Sequence, residues 1–248
     1  VYLKSIKNRT GKEPGTAFFS RNSKINGMKK NNSFLWRNGL SLALLGCFLL
    51  FWAGQAFTGW HEHNEELTER GAEALAFADY LQTGHFVSAT FENWESEFFQ
   101  MIAYVLFTIY LRQQGSAESK ALEGEESEDK EPKAHPHAPW PVRKGGIWLS
   151  IYKNSLTLAY VLLFLISFFL HARGSYEDYK EEQWADGKAT VPFQEYMAGN
   201  RFWFESFQNW QSEFLAVLSI VFLSIYLRQK GSPESKAVDA PHTQTGKE

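Results

Sequence analysis

Asn93, Ser96, Glu97 and Gln100 follow one another at spacings of three, one and three, which places hydrogen-bonding side chains on one face of a helix. Asn209, Ser212 and Glu213 repeat the first three at the same spacing, with Ala216 where Gln100 would stand. His171 closes a long apolar run and belongs at a depth similar to Glu213 if that run crosses a bilayer. Carboxylates and imidazoles at that depth are costly unless they face a bundle interior, water or a partner. These eight residues therefore define a candidate polar site that would bind a cation or relay a proton. They also have a purely structural use, because Asn, Ser and Glu near a helix N-terminus satisfy free amides and meet the helix dipole.

Other chemistry is weaker. His61 and His63, among Glu62, Glu65 and Glu66, resemble a metal-ligand set. Alternate residues converge only on an extended segment, and a helix would splay the two imidazoles. The downstream counterpart, Glu177, Asp178 and Tyr179, has no histidine, so a solvated acidic segment without metal is expected. Arg112 and Arg228 each follow an apolar run and read as interfacial anchors that reach the last helix carbonyls. Trp94 and Trp210 would anchor the opposite ends. The single cysteine, Cys47, rules out an intrachain disulfide and metal capture by cysteine pairs. Nothing resembles a nucleophile with its base, a phosphate-cradling glycine loop or a haem-binding histidine pair. Neither catalysis nor a cofactor is expected.

The elements that must hold these residues come from a stretch that occurs twice. Residues 91–121 and 207–237 align without a gap at an offset of 116, with 18 of 31 positions identical. Each couples an aromatic, acidic start to a short apolar run and leaves through Tyr-Leu-Arg-Gln and Gly-Ser. The mean hydropathy of −0.34 conceals this pattern, since apolar residues concentrate in four runs and charges lie between them. Residues 39–57 carry no charge, close to the ~20 residues needed to cross ~30 Å of hydrocarbon. Residues 150–170 form the matching run. The runs at 98–111 and 214–227 are short, but a belt reaching back to Phe91 and Trp94 lengthens the first to about 20 residues. Gly115 is expected to end that helix.

The expected architecture is an all-α membrane protein: four transmembrane helices as two parallel two-helix repeats, with short amphipathic interfacial helices in the outer loops. A basic disordered extension (1–33) precedes membrane repeat 1 (34–121), and an acidic, then Pro-rich cytoplasmic linker (122–149) joins it to repeat 2 (150–237). A disordered tail follows (238–248). Met28 with Lys29 and Lys30 reads as a bacterial membrane-protein start, which would leave residues 1–27 outside the native protein. With both termini inside, the inner segments hold 20 Lys and Arg and the outer loops 5. That split supports cytoplasmic N and C termini. The net charge of −3 gives no nucleic-acid footprint.

The run at 37–60, the loop aromatics and the duplicated NWxSEF…LRQ(K/Q)GSxESK motif resemble an uncharacterised family of bacterial inner-membrane proteins, catalogued as a domain of unknown function. The resemblance covers residues 34–237 and implies four spans, with no catalytic residue, substrate or cofactor to transfer. The expected function is a non-catalytic assembly protein that contacts the bilayer and either self-associates or joins a membrane complex. The alternative is a small transporter or channel with its polar site at Glu97 and Glu213.

Overall fold

The computed structural model describes residues 33–246, so the expectation for the basic extension up to residue 32 lies outside it. The described residues are helical, without a strand. In order, the helices are α1 (Phe34–Arg37), α2 (Gly39–Glu69), α3 (Phe77–Tyr80), α4 (Gly84–Tyr110), α5 (Trp140–Lys144), α6 (Gly146–Lys153), α7 (Ser155–Ala185), α8 (Phe193–Ala198) and α9 (Asn200–Tyr226). A single 3-10 turn spans Ser127–Asp129. The long helices have matching lengths, 31 residues for α2 and α7 and 27 for α4 and α9.

α2 and α7 are long and apolar enough to cross a membrane. Their apolar residues face outward: Leu156, Leu162, Leu165 and Phe169 of α7 are exposed, as the surface of a lipid-facing helix should be. At 1.5 Å per residue each helix is roughly 46 Å long, well beyond ~30 Å of hydrocarbon. The excess is the acidic stretch beyond residues 57 and 171, which the sequence reading assigns to loops. Those stretches are rich in Glu, a strong helix former, so the helix continues through them.

The chain divides into two units, 1–48 and 49–248, with the division inside α2. In the first, α1 exposes Phe34, Leu35 and Trp36, and the start of α2 exposes Leu40, Leu44 and Leu45. In the second, α4 runs antiparallel to α7, since Gly84 lies by Gly174 and Asp178 while Phe99 meets Phe164. α4 runs parallel to α9, with Asn209 at Glu92 and Gln100 at Glu213. The α4–α7 seam is built from small residues. A Cβ added to Gly174 would stand 2.6 Å from the Ser88 nitrogen, and one on Gly84 would run into the Asp178 backbone. Backbone contact of this kind is how helices pack tightly where apolar surroundings supply no hydrophobic drive.

Aromatic clusters hold the short helices. Tyr80 and Phe86 pack on Ala56, and Tyr196 and Phe202 pack on Ala172. Burial pushes the phenols of Tyr80 and Tyr196 up to about 12. The N-cap of α4 is Thr83, whose Oγ accepts from the Phe86 amide, so Asn93, Ser96 and Glu97 lie several turns inside the helix and do not cap it. α4 ends at Tyr110, ahead of Gly115, which takes a φ of +83° in the turn beyond.

The linker and tail, expected to be disordered, have defined contacts. Lys120 pairs with Asp129, and Glu126 accepts from the Ala121 amide. In the tail the Lys236 ammonium is buried among carbonyls of Gly115 (2.5 Å), Gln244 (2.8 Å), His242 (3.1 Å) and Pro241 (3.2 Å). Thr245 accepts from the Gly115 amide, and Gly246 donates to Ser116. These polar segments persist because they satisfy one another's backbone groups rather than by burying apolar surface.

Candidate functional site

Three helices converge on one imidazole. His171 projects from α7 between α4 and α9 and is fully buried. Its Nδ1 lies 2.6 Å from Oε2 of Glu95 on α4, and both side chains are 0% exposed. Its Nε2 faces Oε2 of Glu205 on α9 at 3.4 Å and Oε2 of Glu92 on α4 at 3.7 Å. The ring of Phe202 lies against the imidazole, centroids 4.7 Å apart, and fixes its plane.

Each of the three carboxylates turns one oxygen toward the histidine and has the other held by a donor; in Glu205 the oxygen facing the histidine also accepts from Ser175. The Trp210 indole donates to Oε1 of Glu95 (3.1 Å). Asn209 donates to Oε1 of Glu92 (3.1 Å). Arg201 donates through Nε to Oε1 of Glu205 (3.1 Å), and the Ser175 hydroxyl meets Oε2 at 2.5 Å. Ser175 also bonds the Tyr196 hydroxyl. The remaining guanidinium nitrogens of Arg201 bind Asp178 (2.7 Å) and Glu182 (2.5 Å), one and two turns further along α7.

Carboxylates outnumber their partners: five, Glu92, Glu95, Asp178, Glu182 and Glu205, gather around one arginine, Arg201, and one histidine, His171. Glu95 is closed off from solvent, and a carboxylate placed so is costly unless a proton or a cation accompanies it. Glu92, His171 and Glu205 each offer one ligand atom, and the three atoms lie within 4.8 Å of one another.

Of the residues singled out by spacing, the structure brings His171 and Asn209 into this centre, and Trp210 enters it as a hydrogen-bond donor as well as an aromatic. His171 meets Glu95 and not Glu213, which corrects the pairing expected from depth. Asn93 and Ser96 bond backbone carbonyls of their own helix, as do Asn209 and Ser212. Glu97 is exposed. Gln100 is buried and donates to the Glu213 carbonyl, tying α4 to α9. Trp94 packs on Trp52. Arg112 and Arg228 turn back onto the last carbonyls of α4 and α9. His61 and His63 lie on helix α2; His61 is exposed, and His63 is buried against His85.

Sequence reasoning missed Glu92, Glu95, Ser175, Arg201 and Glu205. A signal was available in the comparison of the two halves: at an offset of 116, Glu92 aligns with Gln208, Glu95 with Gln211, Glu205 with Ala89 and His171 with Gln55. The centre occupies the positions where the halves differ.

A family described as a domain of unknown function (DUF6766) matches residues 31–247. No curated protein and no solved structure matches the chain.

Proposed function

The chain belongs to that family of unknown function, and from this premise we propose a four-span membrane protein that holds a cation at a buried acid–histidine centre near its outer face. In this reading α4 and α9 cross beside α2 and α7, with the termini and the linker on the cytoplasmic side of a bacterial inner membrane. The exposed apolar residues Phe107, Ile109, Leu218 and Phe222 on α4 and α9 support it, as does the distribution of Lys and Arg. Catalysis has no part in it.

One observation carries the function: five carboxylates gather around a single arginine and a fully buried histidine. The proposal moves the polar site from Glu97 and Glu213 to Glu92, Glu95, His171 and Glu205. A pure scaffold would gain nothing from buried charge in excess, because an apolar packing of equal volume is as stable or more so. The outermost acid, Glu182, has a side chain 42% exposed, whereas Glu95 is closed off, so negative charge leads inward from the aqueous side.

The test has two arms. In a Cys47→Ala background, Ser127→Cys should react with a membrane-impermeant maleimide only from the cytoplasmic side, and Asp186→Cys only from outside. The detergent-solubilised protein should hold about one equivalent of cation by equilibrium dialysis, and Glu92→Gln/Glu205→Gln should lose it. Labelling of both cysteines from one side would refute the topology, and a wild-type protein that binds no cation would refute the function.

A further inference from the structure

We propose that the cation is a first-row divalent transition metal, bound by Glu92, Nε2 of His171 and Glu205, with Glu95 as the positioning residue. This inference rests on the cation-binding reading above and adds the identity of the ligands and the class of ion.

The spacing fits. With bonds of about 2.1 Å, neighbouring tetrahedral ligand atoms stand roughly 3.4 Å apart. Nε2 already lies 3.4 Å from the facing oxygen of Glu205 and 3.7 Å from that of Glu92. The oxygens that face Nε2 belong to carboxylates whose other oxygens are engaged by Arg201 and Asn209, so both ligands are oriented in advance. Glu95 takes the Nδ1 side at 2.6 Å, the carboxylate–histidine–metal arrangement that fixes the tautomer and leaves Nε2 free to ligate. Trp210 in turn holds Glu95. An imidazole among oxygens selects zinc, manganese or iron(II) over magnesium or calcium, which take oxygen ligands almost alone.

The charged and titratable groups facing the ring are Glu92 and Glu95 from α4 and Glu205 from α9, with Arg201 of α9, Asp178 of α7 and Tyr196 of α8 behind Glu205 and Ser175.

The experiment uses metal-free full-length protein in mild detergent, titrated with Co2+ and followed by visible absorption, with Mn2+ followed by electron paramagnetic resonance. One equivalent of each is expected, displaced by Zn2+ and not by millimolar Mg2+. Glu95→Gln should keep the stoichiometry and weaken affinity about 10–100-fold. His171→Asn should abolish the Co2+ spectrum, and circular dichroism melts show whether each variant folds. Displacement by Mg2+, or unchanged affinity in folded His171→Asn, would overturn the inference while leaving cation binding intact. Failure of the wild type to take up any cation would overturn both.

Discussion

Replacing Glu95 by alanine removes the buried partner of His171 and the acceptor of the Trp210 indole in one step. Breaking a buried charged pair by deleting one partner costs about 3–5 kcal/mol, because the other is left without compensation. For a chain of this size about 2–4 °C of Tm accompanies each kcal/mol. Glu95→Ala should therefore lower the detergent-solubilised Tm by roughly 6–20 °C. Glu95→Gln is the control for shape. Its single carbonyl oxygen can accept from Trp210 or from the Nδ1–H of His171 but not hold both as the carboxylate does, so the loss should be about 1–2 kcal/mol, near that of a neutral hydrogen bond. Scanning calorimetry of the two variants beside Trp210→Phe separates the contributions, and Trp210→Phe alone should cost about 1 kcal/mol. An alanine variant within about 1 kcal/mol of wild type would refute the pairing of Glu95 with His171. So would alanine and glutamine variants of equal stability.

Further outcomes follow from the packing. Gly174→Ala forces a Cβ to within 2.6 Å of the Ser88 nitrogen and should cost about 1–3 kcal/mol, whereas Gly54→Ala meets nothing within 4 Å and should be neutral or slightly stabilising; equal Tm values would contradict the α4–α7 seam. Lys236→Met strips a donor from four carbonyls, and limited proteolysis should then cut the segment after residue 237 faster than in wild type. Tyr80 and Tyr196 ionise near 12 in the folded chain and near 10 when unfolded. Their contribution to stability is thus complete below pH 10 and lost as pH rises toward 12, visible as a falling Tm and a late absorbance change at 295 nm.

The two most apolar helices could be read from uncharged runs, because an unbroken apolar run of that length needs no knowledge of neighbours. Their lengths could not, since a Glu-rich extension beyond the apolar run looks the same as a solvated loop until it is known to stay helical. That His171 stands on the same helix as its apolar run was legible for the same reason that the run was. Its partners were not. Asn93 with Asn209 and Ser96 with Ser212 drew attention because the halves share them, yet each serves its own helix backbone, a duty both copies have in common. Glu92, Glu95 and Glu205 reach one imidazole only because α4 and α9 run parallel and the glycine seam brings α7 close, and that is tertiary information. The linker and tail escaped sequence reading because their order comes from hydrogen bonds between polar segments distant in the chain.

Lys236 gathers carbonyls of Gly115 and of the segment 241–244, and those residues leave the ribosome after every long helix has been made. The carboxyl end of α4 must therefore wait, through the synthesis of α7 and α9, for the groups that satisfy it. A fusion or truncation at the carboxyl side of α9 would be felt near residue 115, more than a hundred positions upstream, and a tag for purification is better carried at the amino side.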